Sequence, residues 1–411
     1  MGRSAQHDEV KVARPPRAPY FCRLLHAAFP LQILLPKSPF FWLLLACVLV
    51  QLCYAAYFFW PFARRAAEAS AEVPDLAAEP VSIMVCARNE LDNLRCLLPL
   101  LLQQDYPIGF EIVLIDDRSQ DDTHLYAQQL AQYYPTKVRL VTITTTPAGF
   151  APKKYALTLG IKAAHYARLL FTDADCRPVG PQWLRLMQGG FAQAGGADVV
   201  LGFSGYTEAP GFLNKLIRYE TLLTAAQYLS FAWRGWPYMG VGRNLAYTRG
   251  CFVATKGFAS HIRQLSGDDD LLVQDAVRRR QRVAVVAAPE AHTFSEPAAT
   301  WAGWWHQKRR HLSAGRAYRF ADRVRVVTFV LANMLFYLLT VVLIFSPNNW
   351  IPLAVVWALR TLFVSAVYAR LSRRLQQPVT VGLLPVLDLA YFFQYLALGV
   401  SLLLNRTLRW K

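Results

Sequence analysis

From residue 39 to residue 63 the chain runs for 25 positions without a charged side chain. Wound as a helix at about 1.5 Å per residue, that run is about 37 Å long, enough to cross ~30 Å of hydrocarbon with some tilt. The reading is a transmembrane helix. A cleaved secretory signal fits poorly, because the apolar core is too long, begins nearly forty residues in, and has no clean small-x-small site after it. Residues 1–38 then form an N-terminal arm whose 20–36 stretch, apolar with Arg23 and His26, suits the membrane interface.

Two more apolar stretches follow late in the chain. Residues 326–359 are uncharged but interrupted by Ser346, Pro347, Asn348 and Asn349, which predicts a helical hairpin with a tight turn. A basic loop carrying Arg370, Arg373 and Arg374 leads to residues 381–404, where Asp388 is the only charge. Four spans are therefore expected, one N-terminal and three over 326–404, followed by a short tail over 405–411. Spans three and four each carry one ionisable residue, Arg360 and Asp388. Counting rise from the shared loop puts both at comparable depth, so the two are expected to face each other or a common polar cavity.

The net charge of +17 would suit nucleic acid, an anionic membrane surface or a phosphate-bearing substrate. With 54% hydrophobic and 17% charged residues gathered into span-length blocks, it reads as the flank of a membrane protein, and nucleic acid is set aside. The basic 308–325 and 370–374 regions place the soluble part on the cytoplasmic side. The basic N-terminal arm and Arg406, Arg409 and Lys411 pull the other way. Seven cysteines, an odd number without a CxxC pair, read as a reduced set of small hydrophobes.

After a linker over 64–80, residues 81–300 alternate short β-branched runs (VSIMVCA, FEIVLID, VRLVTI, RLLFTDAD, ADVVLGF, RVAVVAA) with helix-length amphipathic segments. That pattern predicts an α/β domain with a mostly parallel, helix-covered sheet. Ligands in such sheets bind beyond the carboxyl ends of the strands. Here those ends read Ala87-Arg88-Asn89-Glu90, Asp116-Asp117-Arg118-Ser119 and Asp173-Ala174-Asp175. One Asp-x-Asp is usually a turn or a helix cap; three acidic clusters at successive strand ends are harder to assign to capping. Carboxylates gathered on one edge call for a hard cation, Mg²⁺ or Mn²⁺, and such an ion in turn implies phosphate. Lys153 and Lys154 open the helix KKYALTLGIKAA near that edge. A Walker loop and a GxGxxG after the first strand are both missing, which argues against an NTPase and a dinucleotide reductase.

PVSIMVCARNE, IVLIDDRS, KKYALTLGI, LLFTDADC, GVGRNLAYTR, SGDDDLLV and SEPAATWAGWWHQKRRH, in that order over about 80–312, resemble a membrane-integrated family 2 glycosyltransferase of the GT-A fold. The resemblance implies Ala87, Arg88 and Glu90 around the base and ribose, with Asp117 or alternatively Asp116 toward the base. It implies Asp175 as a direct metal ligand, Asp173 on ribose or metal, and Lys154 on phosphate. Asp268-Asp269-Asp270 stands where the family carries the acid that deprotonates the acceptor hydroxyl, a role that maps to Asp269 with Asp268 beside it. An exposed helix N-terminus is the plainer account of the outer two acids.

Gln307 and Arg310 match the Gln-x-x-Arg-Trp motif of polymerising members, where they would meet acceptor and diphosphate, but His311 replaces the tryptophan that stacks on sugar. The same run, with Trp301, Trp304 and Trp305, fits an interfacial segment over 301–325 equally well. Arg243, with Gly240 and Asn244, aligns weakly with the acceptor-side loop. His292 and Glu296 are four apart, but the strand-like context favours a structural role. Residues 210–236 are read as a packing or membrane-contact helix.

What the resemblance implies is inverting, metal-assisted sugar transfer from a nucleotide-sugar donor, a UDP-sugar first, to a lipid or oligosaccharide acceptor. A processive polysaccharide synthase resembling chitin or hyaluronan synthases is the alternative within the class. A non-catalytic nucleotide-sensing scaffold is the alternative outside it.

Overall fold

A computed structural model of the protein describes residues 38–65 and 78–404. The expected interfacial stretch at 20–36, most of the linker and the 405–411 tail lie outside the described residues.

Helix α1 (Pro39–Arg64) is long and apolar enough to cross a membrane. The chain then enters an α/β unit: β1 (Val81–Ala87), α2 (Leu91–Leu102), β2 (Phe110–Asp117), α3 (Thr123–Tyr133), β3 (Val138–Ile143), α4 (Pro152–Ala163), β4 (Arg168–Asp173), β5 (Cys176–Pro178), α5 (Trp183–Gly189), β6 (Val199–Leu201), β7 (Ser204–Tyr206), α6 (Phe212–Trp233), β8 (Leu245–Thr248), α7 (Arg249–Ala254), α8 (Asp270–Arg278), β9 (Val283–Val285) and β10 (Thr293–Ser295). Helix α9 (Trp301–Ala314) leads to α10 (Phe320–Ile344), α11 (Trp350–Arg374) and α12 (Leu384–Leu404). These last three lie in the other candidate spans, so the four expected helices are present.

The main sheet has seven strands in the order β3-β2-β1-β4-β8-β6-β9. All run parallel except β8, which pairs antiparallel with β4 and with β6. A four-residue LAYT run is too short to announce its direction, and this reversed strand is not among the β-runs read from sequence. A small second sheet, β5-β10-β7, is also additional to that reading. β1 and β2 are almost wholly buried along their length, as expected of central strands covered on both faces. Parallel register brings Ala87 level with Asp116 and Cys86 level with Asp173, which aligns the acidic strand ends.

Helix α4 lies close against the sheet because Gly160 leaves room: a Cβ there would sit 2.3 Å from the Ile115 side chain. Helix α6, the 210–236 segment, is buried along most of its length. Its residues join one continuous apolar core with the sheet (Ile115), with α4 (Leu157) and with α1, α10 and α11 (Phe59, Phe329, Tyr368). The α/β domain and the apolar helices are therefore packed as one body, with α6 as the shared layer. His292 is buried with its ring edge-on to Phe203, a packing role, and Glu296 is exposed.

Candidate active site

The loops after β1 and β2 hold each other. Asn89 and Arg118 both turn through the left-handed region, at φ 56° and 58°. The Asn89 amide donates to Ser119 Oγ at 3.0 Å, the Gln120 amide to Asn89 Oδ1 at 2.7 Å, and the Glu90 amide to Thr123 Oγ1 at 2.9 Å. The Glu90 carboxylate accepts from Asn93 at 2.7 Å. Asp116 accepts from the Ser119 amide at 3.2 Å and faces His124 at 2.8 Å, so it shapes the loop. Asp117 pairs with Arg118 at 2.8 Å. Arg88 is half-buried beside them.

The two lysines that open α4 part company. Lys153 Nζ stands 2.9 Å from Asp173 and 3.2 Å from Asp268, linking the β4 end to the loop before α8. Burial alone would lower its ammonium, but Asp173 and Asp268 hold it well above its ordinary value. Lys154 is enclosed: its Nζ donates to the His261 and Ser266 carbonyls at 2.9 Å each and meets His261 Nδ1 at 2.8 Å. Burial pushes Lys154 down to about 8, and burial with the Lys154 charge pushes His261 down to about 4. The lysine assigned to phosphate thus braces the 261–266 loop, and its neighbour is the one that reaches the acids. Successive helix positions differ by about 100° of rotation, so a Lys-Lys pair cannot declare which member faces the cleft.

The three consecutive acids have three environments. Asp268, although burial would raise it, is kept below the usual carboxylate range by Lys153. Asp270 accepts from Tyr318 Oη and from the Leu271 amide and sits well above that range through burial and the neighbouring Asp269 charge. Asp269 caps α8: Oδ1 accepts from the Asp270 amide and Oδ2 from the Gly242 amide, each at 2.8 Å. Burial and then the Asp268 charge raise its pKa. Asp173, Lys153, Asp268, Asp269 and Gly242 line one cleft.

Two residues on from Asp173, burial and the Asp173 charge raise Asp175. Asp173 and Asp175 are two hard carboxylates of like charge, a donor pair suited to a divalent cation. Among the described residues no group of three or more His, Cys, Asp or Glu could complete such a site. The pair fits an ion whose other donors come from a bound phosphate, the usual arrangement for Mg²⁺.

Tyr206, which the sequence did not single out, gathers two of the residues expected on the acceptor side, Gln307 and Arg243. Gln307 donates to its hydroxyl at 3.2 Å, and the Arg243 guanidinium lies over its ring at 4.3 Å. Arg243 also donates to the Ser204 and Gly205 carbonyls and to Ser295 Oγ, tying β7 to β10. Arg310 is half-buried one turn along α9 from Gln307. Lys308 pairs instead with Glu220 of α6 at 2.8 Å.

Residues 82–258 match the family model for Glycosyl transferase family 2. The chain is 25% identical over 237 residues to a probable glycosyltransferase, YdaM, of Bacillus subtilis, covering 56% of this chain and 54% of that one. It is 30% identical over 105 residues to the glycosyltransferase AglE of Haloferax volcanii, covering 25% and 33%. It thus spans about half the length of the first relative and a third of the second. Among solved structures, the mannosyltransferase PcManGT of Pyrobaculum calidifontis, in complex with GDP-Man and Mn²⁺, superposes with a TM-score of 0.54 at 17% identity, covering 81% of this chain and 96% of that one. The fold is the mixed α/β GT-A arrangement, and residues 82–258 within it are similar to glycosyl transferase family 2.

Proposed function

We propose that the protein is a membrane-bound, inverting glycosyltransferase that moves a sugar from a nucleoside-diphosphate donor to a lipid or glycan acceptor, with its catalytic domain on the cytoplasmic side. The observation that carries this reading is Asp269: a carboxylate fixed by two backbone amides, raised in pKa, lining the same cleft as Asp173 and Lys153. The PcManGT complex with GDP-Man and Mn²⁺ supports a nucleotide-linked donor and a divalent ion for this shared fold.

In this reading Ala87, Arg88, Glu90 and Asp117 receive the nucleoside. Lys153 gives up its contact with Asp173 and neutralises the diphosphate, the part first assigned to Lys154. Asp175 with Asp173 would hold Mg²⁺ or Mn²⁺, whose chemistry when bound is to take up negative charge on the departing diphosphate. Asp269, with one amide on each oxygen, keeps lone pairs free to accept the proton of an acceptor hydroxyl as its oxygen attacks the anomeric carbon in line. Gln307, Arg310 and Arg243 flank the acceptor side.

The test is to incubate detergent-solubilised protein with UDP-sugars and GDP-mannose, Mg²⁺ or Mn²⁺, and membrane lipid, and to measure nucleoside diphosphate. Release dependent on metal and on Asp269 is expected. Nucleotide binding without turnover across donors and acceptors would favour the non-catalytic scaffold.

A further inference from the structure

We propose that the domain-side ends of α1 and α11 form a binding site for the phosphate of an anionic membrane lipid, centred on Trp60. Arg64, the last residue of α1, places its guanidinium 5.8 Å from the centre of the Trp60 ring, and Arg370 reaches the same ring from α11 at 5.7 Å. Both arginines are exposed. Among the described residues neither has a carboxylate partner, whereas Arg218, Lys308, Arg319 and Arg325 of the nearby elements are each paired with an acid.

The arrangement is held rigidly. Arg374 donates to the Phe62 carbonyl at 2.7 Å and to the Arg65 carbonyl, locking the end of α11 onto the end of α1. A neighbouring indole also meets two guanidiniums, those of Arg65 and Arg234 at 5.6 and 4.9 Å from the Trp233 ring.

Helix C-termini favour cations, which accounts for arginine in these last turns. It does not account for guanidiniums from two helices converging on one ring with no acid between them, since like charges repel. A phosphodiester at headgroup level supplies the missing charge, and the planar guanidinium fork matches phosphate oxygens. The surroundings suit a lipid. Tryptophan belongs at the membrane interface, Phe363 lies against Trp60 at 6.4 Å, and Leu359 and Leu362 further along α11 are exposed for acyl chains. The proposal rests on membrane integration and is independent of the transferase reading.

The experiment places full-length protein in nanodiscs of phosphatidylcholine alone or mixed with phosphatidylglycerol, and counts lipid retained after re-extraction by native mass spectrometry. Wild type should keep phosphatidylglycerol over phosphatidylcholine. The pair Arg64→Ala, Arg370→Ala should lose that preference by about tenfold or more with thermal stability in phosphatidylcholine unchanged. The control pair Arg316→Ala, Arg323→Ala, which removes the same charge from other exposed positions, should keep it. Unchanged retention in the Trp60 pair, equal loss in the control, or a stability loss without a lipid effect each overturns the proposal. Displacement of the lipid by inorganic phosphate would assign the site to a free anion and overturn it as well.

Discussion

The Arg360 guanidinium donates to the Asp388 carboxylate at 2.5 Å, joining α11 to α12 where both side chains are buried. Arg360 also donates twice to Gln51 of α1, at 2.8 and 2.9 Å. Asp388 accepts in addition from Tyr219 of α6 and from Asn333 and Tyr337 of α10. A single pair thereby ties every apolar helix to the layer beneath the sheet. Arg360→Leu or Asp388→Leu alone strands a charge and should cost ~3–5 kcal/mol, while the double replacement should cost less than either. Thermal unfolding in detergent checks this; a double variant worse than both singles would refute it.

Asp269→Asn should leave nucleotide affinity nearly intact and lower turnover by ~10² or more, the size expected for loss of a general base. A large loss in Asp268→Asn with little in Asp269→Asn would move the base one residue earlier.

The pH dependence has a definite sign. A base at Asp269 would work ionised, and burial with the Asp268 charge raises the pKa of Asp269, so turnover should rise with pH along a limb displaced above the ordinary carboxylate range. Asp268→Asn removes that neighbouring charge and should move the limb to lower pH. A pH–rate profile that stays in place in this variant would show that another group limits the rate.

Asp175→Asn should abolish metal-dependent donor binding while the fold survives. Titration of nucleoside diphosphate with and without Mn²⁺ checks it, and equal metal-dependent affinity in the variant would exclude Asp175 as a ligand.

The lysines should separate. Lys154→Met leaves the His261 and Ser266 carbonyls without their buried donor and should lower stability by ~2 kcal/mol or more. Lys153→Met should chiefly weaken nucleoside diphosphate binding, read by calorimetry beside thermal melts. The reverse pattern would restore Lys154 to the phosphate.

Local pattern carried far. Charge-free length alone marked the helices at Pro39–Arg64 and beyond, because hydrocarbon tolerates little else. β-branched runs marked β1 to β4 and hence the edge where Asp116, Asp173 and their neighbours collect, since parallel strands present their carboxyl ends together. Depth arithmetic brought Arg360 to Asp388, because an unpaired charge in lipid has few alternatives. Tertiary structure decided what no window of sequence contains. It turned Lys153, not Lys154, toward Asp173 and Asp268, since the rotation of α4 against the sheet is set by packing at Gly160. It supplied the Gly242 amide that fixes Asp269 from 27 residues away, reversed β8, and placed Tyr206 under Arg243 and Gln307. Periodicity reports which face of an element is buried; which distant residue meets that face is settled only when the elements pack.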